Sequence, residues 1–263
     1  MRIVVCIKQV PDTTEVKLDP IKNTLIREGV PSIINPDDKA GIELALNIKE
    51  TVPGSTITVV SMGPPQAEIA LREAMAMGCD DALLLSDRAF GGADTWATST
   101  TIAGALKKLG YDVIIAGRQA IDGDTAQVGP QIAEHLRIPQ VSYCEDLHVE
   151  NDKFIIKRQF EDRYHIVEVA APCLITTLSE NINPRYMTLS GIYDAYRKEV
   201  KVWGLKDIEE FLNIEHIGLK GSPTKVFKSF TKQAKGTGIK LEGLTAEDAA
   251  DSILTKLQEK HII

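Results

Sequence analysis

Residues 111–130 run Tyr111-Asp112-Val113-Ile114-Ile115-Ala116-Gly117-Arg118-Gln119-Ala120-Ile121-Asp122-Gly123-Asp124-Thr125-Ala126-Gln127-Val128-Gly129-Pro130. The stretch divides into three parts. Tyr111 to Ala116 is short, apolar and β-branched, the pattern of a strand buried on both faces, as in parallel sheets. From Ala126 to Leu136, Val128, Ile132, Ala133 and Leu136 recur at helical spacing. The loop between them is rich in Gly, Asp and Thr. In α/β proteins the carboxyl end of a strand that feeds a helix is where ligands bind. Asp124 or Thr125 is placed to cap the helix, and its first N–H groups would then face a crevice and favour an anion. The spacing is neither a Walker loop nor GxGxxG. Taken alone, it suits an ordinary strand–turn–helix junction as well as an anion site.

The pattern repeats on the N-terminal side. Arg2 to Ile7 reads as a first strand, ending in a polar loop from Lys8 to Thr14. Val16 to Ile26 alternates imperfectly and suggests a hairpin-like excursion. Pro36 suits a helix start, with Asp37 or Asp38 as its cap, and Ile42, Ala45, Leu46 and Lys49 share one face. Thr56 to Val60 is a second strand. A helix over 66–77 follows, with Ile69, Ala70, Glu73, Ala74 and Met77 in register and Gly78 as its stop. Asp81 to Ser86 is a third strand. Gly91-Gly92-Ala93-Asp94-Thr95 opens a helix running to Leu109, with Ile102, Ala105, Leu106 and Leu109 on its inner face. Such alternation predicts a doubly wound, mostly parallel α/β sheet with helices on both faces. Candidate ligand loops at Cys6–Thr13, Met62–Pro65, Asp87–Thr95 and Gly117–Thr125 all lie at strand carboxyl ends. Their convergence argues for a nucleotide-sized ligand.

The pattern then changes. Gln140–Val149, Lys153–Phe160 and Tyr164–Val169 have period 2 and predict antiparallel strands on one edge of the sheet. Ala171 to Thr177 is a further strand. Asn181 to Ile192 has little periodicity but carries Tyr186, Met187, Leu189 and Ile192, which suits a protruding segment with aliphatic anchors. From Arg197 the chain is charged. Lys225, Lys228, Lys232 and Lys235, with Phe227 and Phe230, suggest a solvated arm. A last helix over 245–260 opens on Thr245-Ala246-Glu247-Asp248, close to a capping box, with Ala249, Ile253 and Leu257 on its face.

Composition excludes several classes. The 263 residues are 43% hydrophobic and 25% charged, ordinary for a globular protein. A net charge of -7 argues against nucleic acid as a partner. No apolar run is long enough to span a membrane, and the N-terminus lacks a signal-peptide pattern. Cys6, Cys79, Cys144 and Cys173 are dispersed without a CxxC pair, which argues against zinc or iron–sulfur sites and suits reduced thiols in the cytoplasm. His135, His148, His165, His216 and His261 have no ligand spacing, and His135 reads as a surface or satisfied side chain. Asp122 and Asp124 suit backbone N–H groups or ribose hydroxyls better than a metal. No nucleophile–base set is readable, so a cofactor would carry any chemistry.

Several motifs together resemble the β subunit of electron-transfer flavoprotein, over nearly the whole chain. They are Val5-Cys6-Ile7-Lys8 with Val10-Pro11-Asp12, Asn35-Pro36-Asp37, Ser61-Met62-Gly63-Pro64, Gly117 to Gln127, and Asn183 to Leu189. The resemblance implies a Rossmann-like, adenine-nucleotide-binding domain over 1–196, paired with an α subunit that carries its own FAD. It implies a C-terminal arm over 197–263 that packs on that subunit. The implied cofactor contacts are Cys6, Lys8, Asp12, Asn35, Pro36, Asp37, Asp38, Met62, Gly63, Thr95, Thr98, Gly117, Arg118, Gln119, Ala120, Ile121, Asp122, Gly123, Asp124, Thr125, Ala126, Gln127 and Val128. Arg185, Tyr186, Met187, Leu189 and Ile192, within a loop at about 177–199, would dock a partner enzyme.

Within the family the chain looks like the bifurcating branch, through Val10-Pro11-Asp12-Thr13 and Gly123-Asp124-Thr125. That branch holds FAD here. Gly123 and Thr125 leave room and donors for a pyrophosphate. The branch implies hydride from NADH, one electron to ferredoxin or flavodoxin, and the other through the α-subunit FAD to an acyl-CoA dehydrogenase or related flavin dehydrogenase. The alternatives are a non-bifurcating carrier with structural AMP, and a non-redox ATP-binding module. The latter calls for a Gly- and Ser-rich loop where Gln119-Ala120-Ile121-Asp122 stands.

Overall fold

A computed structural model describes residues 1–12, 31–151, 153–227, 236 and 238–263. The proposed excursion over 16–26, and Thr13, Lys228, Phe230, Lys232 and Lys235, lie outside the described residues.

Strand β1 (Arg2–Cys6) leads to β2 (Gln9–Pro11), which pairs antiparallel with β3 (Ser32–Ile34). The chain continues through α1 (Pro36–Thr51), β4 (Thr56–Met62), α2 (Glu68–Met77), β5 (Asp81–Leu85), α3 (Thr95–Leu109), β6 (Val113–Gly117) and α4 (Val128–Leu136). Strands β7 (Gln140–Glu150), β8 (Lys153–Phe160), β9 (Arg163–Ala170) and β10 (Cys173–Thr177) follow. Then come α5 (Leu189–Ala195), β11 (Lys201–Trp203), the one-turn helices α6 (Leu205–Ile208) and α7 (Gly218–Gly221), and α8 (Ala246–Glu259).

The main sheet has the order β11-β5-β4-β1-β6-β10-β7-β8-β9. All pairings from β11 to β7 are parallel, and β8 and β9 extend the edge antiparallel. After β1 the chain winds outward through β4 and β5, then returns to the other side of β1 as β6. The winding therefore reverses between β1 and β6, where the strand ends part and leave a crevice.

Both faces of the central parallel strands are dry because their residues alternate between two cores. Ile3, Val5, Ile57, Val59, Val113 and Ile115 pack on the side of α1 and α2. Val4, Cys6, Val60, Ile114 and Ala116 pack with Ile102, Leu106, Ile132 and Ala133 of α3 and α4. The continuous β-branched runs noted in the sequence are the consequence of having no wet face.

Three local expectations change. In α2, Ile69 points outward with 61% of its surface exposed, while Ala70, Leu71, Ala74 and Met75 are buried. Two apolar arcs overlap on this short helix, and packing selects the one centred on Leu71 and Met75. Helix α4 begins at Val128, not Ala126, because Asp124 and Ala126 take left-handed φ values of 48° and 51°. Neither Asp124 nor Thr125 is its cap. Helix α1 is preceded by Asn35, and neither Asp37 nor Asp38 caps it: both are buried in its first turn and bonded elsewhere.

The α/β unit also extends beyond residue 196. The chain divides into Met1–Lys228 and Ser229–Ile263. Backbone pairing of β11 with β5 keeps the segment after 196 in the first unit, and Ile208 and Ile217 enter its core. In the second unit α8 is capped by Thr245, whose Oγ1 accepts from Asp248 N at 3.2 Å, as its capping-box-like opening suggests.

Helix α5 lies tightly against α2. A Cβ on Gly191 would stand 2.3 Å from the Ala76 carbonyl oxygen. We expect Gly191→Ala to force α5 away and lower the unfolding free energy by about 1–3 kcal/mol. Urea denaturation of the full chain measures this, and an unchanged midpoint would contradict the close packing.

Candidate functional site

Where the winding reverses, a carboxylate joins the two diverging strands. Asp38 Oδ2 accepts from Lys8 N just beyond β1 at 2.7 Å, and Oδ1 accepts from Gly117 N at the end of β6 at 2.9 Å. The neighbouring residues hold the loop that follows β6. Asn35 Nδ2 donates to Gln119 O at 2.8 Å, and Asn35 Oδ1 accepts from Ile121 N at 3.1 Å. Asp37 accepts from Ser179 N at 3.0 Å and lies 3.3 Å from Arg118 Nε. Lys8 Nζ reaches Asp122 Oδ1 at 2.6 Å. The Asn35-Pro36-Asp37-Asp38 motif thus works as a template for the 117–122 loop.

Gly117 is required by this arrangement. A Cβ there would stand 2.2 Å from Asp38 Oδ1. Burial pushes the Asp38 carboxyl up to about 7, with Asp37 adding to the shift. The hydrogen bonds from Lys8, Asn35 and Gly117 pull against it. Burial likewise raises the Cys6 thiol to about 12, so it stays protonated at neutral pH and is neither a nucleophile nor a ready ligand.

A cavity of about 480 Å³ opens in front of this junction, within the range of small-molecule sites. Its apolar lining includes Val60, Phe90, Ile102, Ala116 and Ile132, with Cys6 and Met62. Its polar lining comes from Lys8, Asp38, Asp94, Thr95, Thr98, Thr125 and Gln127, and from the Gly117–Ala120 loop. Two helices begin beside it, with different electrostatics. Asp94 caps α3, its Oδ1 accepting from Ala97 N at 3.0 Å, so that helix start already has its anion. Gln127 gives α4 no side-chain cap. The opening N–H groups of α4 therefore form the better phosphate seat. The left-handed residues Asp124 and Ala126 shape the approach to it. An apolar floor, threonine hydroxyls and an uncapped helix start fit an adenine nucleotide.

Of the sequence-predicted contacts, Cys6, Lys8, Asp38, Met62, Gly63, Thr95, Thr98, Gly117, Arg118, Gln119, Ala120, Gly123, Thr125, Ala126, Gln127 and Val128 line the cavity. Asp12, Asn35, Pro36, Asp37, Ile121, Asp122 and Asp124 do not. Asn35, Asp37 and Asp122 support the wall from behind, and Pro36 is the first residue of α1. Asp12 bonds through its N–H to Pro31 O, and Asp124 accepts from Gln119 Nε2 at 3.0 Å. Ile7, Gln9, Pro64, Phe90, Gly92, Ala93 and Asp94 also line it and fall within the predicted ligand loops without being named as contacts, whereas Val60, Ala67, Ile102, Ala116, Gly129 and Ile132 lie outside those loops and were missed. The Gly91-Gly92 turn before α3 was the signal for Gly92, Ala93 and Asp94.

His135 lies outside the cavity. Its Nε2 is 3.1 Å from Ser99 Oγ and 3.3 Å from Thr100 Oγ1, as befits a satisfied side chain. Among the described residues no group of His, Cys, Asp and Glu is placed to hold a metal ion. The four cysteines are free and buried. No helix among the described residues is long and apolar enough to cross a membrane.

A second feature lies on the α1–α2 side. Arg185 is fastened to α1, with Nη2 to Glu43 Oε1 at 2.9 Å and Nη1 to Glu50 Oε1 at 2.6 Å. At the other end, Arg72 Nη1 donates to Ala195 O at 2.6 Å. Between these anchors Tyr186 and Leu189 are 95% and 88% exposed, and Met187, Ile192, Tyr193 and Tyr196 are exposed as well. Arg185 is thus a support of the segment, and the exposed anchors are its apolar side chains.

A doubly wound sheet with a cavity at its winding reversal defines an α/β protein with a candidate ligand site at the switch point. The chain belongs to the electron transfer flavoprotein family: residues 22–208 match the electron transfer flavoprotein domain. It is 58% identical over 263 residues to the electron transfer flavoprotein subunit beta of Clostridium acetobutylicum, covering all of both chains. It is 56% identical over 264 residues to the caffeyl-CoA reductase-Etf complex subunit CarD of Acetobacterium woodii, again over all of both chains. It is 51% identical over 271 residues to the acryloyl-CoA reductase electron transfer subunit gamma of Anaerotignum propionicum, with the same full coverage.

Two outcomes test the junction. The folded pKa of Asp38 is about 7 against 3.8 as its ordinary value. The proton it retains therefore favours the folded state fully below the ordinary value, and this contribution is lost as pH rises to about 7. Wild-type stability should fall relative to Asp38→Asn by about 1.4 kcal/mol per pH unit across that window. Parallel denaturation curves for the two proteins from acid to neutral pH would contradict it. Separately, Gly117→Ala should displace the loop and lower the unfolding free energy by about 1–3 kcal/mol, as read by urea denaturation.

Proposed function

We propose that this chain is the β subunit of a heterodimeric electron transfer flavoprotein, with FAD held in the cavity between β1, β6 and the starts of α3 and α4. When bound, FAD supplies hydride acceptance from NADH and one-electron transfer toward ferredoxin or flavodoxin and, through the α subunit's own flavin, toward an acyl-CoA dehydrogenase or related flavin dehydrogenase. The observation that carries the reading is the contrast between the two helix starts. Asp94 occupies one, and the other is left open to a pyrophosphate.

The chain's residues bind and orient. The N–H groups at the start of α4 and the hydroxyls of Thr95, Thr98 and Thr125 receive phosphate and ribose oxygens. Arg118, Gln119, Ala120 and Gly123 hold the adjoining part of the cofactor. The apolar floor of Val60, Phe90, Ile102 and Ile132 excludes water. No side chain acts as a nucleophile, in keeping with a protonated Cys6. Tyr186, Met187, Leu189 and Ile192 form the docking segment for the dehydrogenase, with Arg185 holding it in place.

Relatives named for caffeyl-CoA and acryloyl-CoA reductase systems support a bifurcating role with a CoA-linked partner enzyme. Buried, unpaired cysteines suit work in the cytoplasm. The test is co-expression with the α subunit, followed by flavin analysis and anaerobic addition of NADH. A second flavin beyond the α subunit's own, bleached rapidly by NADH, is the expected result. AMP in its place with no NADH reaction would make the protein a non-bifurcating carrier.

A further inference from the structure

The cavity rim at Gly91–Asp94 is held by a segment from far along the chain. Asp94 N donates to Ser222 Oγ at 2.9 Å. Asp94 Oδ2 accepts from Thr224 N at 2.9 Å and from Thr224 Oγ1 at 2.7 Å. The buried Ser222 hydroxyl donates in turn to Gly218 O at 2.8 Å, and Leu219 N donates to Gly91 O at 3.0 Å. Gly218 has a left-handed φ of 58°, and a Cβ there would stand 2.1 Å from Ala89 O. The side chain of Leu219 covers Gly92, 3.1 Å from where its Cβ would be.

Asp94 therefore does two jobs with one carboxylate. Oδ1 caps α3 while Oδ2 is taken by Thr224. Hydrogen bonds from Ala97 and Thr224 outweigh burial and hold its carboxyl below the usual range, so the clasp is formed by a carboxylate. Without Ser222 and Thr224, the Asp94 side chain and the rim backbone lose the contacts that fix them against the cavity. Thr95 and Thr98, on the first turn of α3, would lose their placement with them.

From this clasp we infer that Ser222 and Thr224 are positioning residues of the nucleotide site, holding the Gly91–Asp94 rim in its binding geometry, and that nucleotide binding in turn tightens the 217–224 segment. The inference rests on the nucleotide reading of the cavity. By linkage, a segment that aids binding must itself be stabilised by the bound ligand.

The experiment uses the full chain freed of bound nucleotide, with AMP and FAD each as probe. Titration calorimetry compares wild type with Thr224→Val and Ser222→Ala, and peptide-level hydrogen exchange follows residues 217–224 of wild type. The expected result is binding about ten-fold weaker in each variant, the equivalent of one or two lost hydrogen bonds, with unchanged circular dichroism. Exchange in 217–224 should slow when the probe binds wild type. If wild type binds but exchange there is unchanged, or if folded variants bind equally well, the clasp is structural only and the nucleotide reading survives. If wild type binds neither probe, both fall. Should a variant fail to fold, the wild-type exchange measurement decides alone.

Discussion

The Asp38 carboxylate bridges the ends of β1 and β6 through two backbone N–H groups. At a winding reversal the two strand exits turn to opposite faces, so their terminal N–H groups have no strand partner. A buried acceptor must satisfy both, because an orphaned N–H away from water costs about as much as a lost hydrogen bond. Asp38 does this from the first turn of α1, and the two backbone bonds offset part of the cost of placing a carboxyl group in a largely apolar setting. Gly117 gives it room, and Asn35 and Asp37 carry the same support into the loop and to Ser179. The cavity keeps its shape because its back wall is hydrogen-bonded from behind.

The front of the cavity follows another logic. Helix α3 begins with its own acid, and α4 begins without one. Two helix starts of equal dipole thus become unequal, and an anion has one favourable place to sit. The 217–224 segment fixes the capped start and leaves the open start free. On the far side of the sheet, Arg185 and Arg72 fasten the exposed Tyr186–Tyr196 segment at both ends. Held so, its apolar side chains are presented to solvent from a backbone fixed at both ends. Site and segment are linked through α1, whose first turn carries Asp38 and whose later turns carry Glu43 and Glu50.

Much of this was legible locally. The strands read as unbroken β-branched runs because both of their faces are buried, and β7 to β9 read as alternating because they leave the parallel core. The loops rich in Gly, Asp and Thr at the strand ends marked where the cavity lies. Less legible were the boundaries. Ala126 has no chemical mark of a left-handed residue, so the helix read two residues long. Ile69 belongs to an apolar arc that α2 does not bury. The segment after 196 looked like an arm because β11 is only three residues long and its pairing partner lies far back in the chain.

The amino-acid sequence alone determined the main strand–helix alternation from β1 to α4, the parallel winding and the loops that meet at the strand ends, but neither the short β2–β3 pair nor β11. These follow from periodicity and turn chemistry, which act over a few residues. Only the tertiary structure decided what the polar residues do. Asp38 meets Gly117 across 79 positions, Asp94 meets Thr224 across 130, and Arg185 meets Glu43 across 142. A buried hydrogen bond is chosen by which groups the packed topology strands together without water. No local pattern encodes that choice.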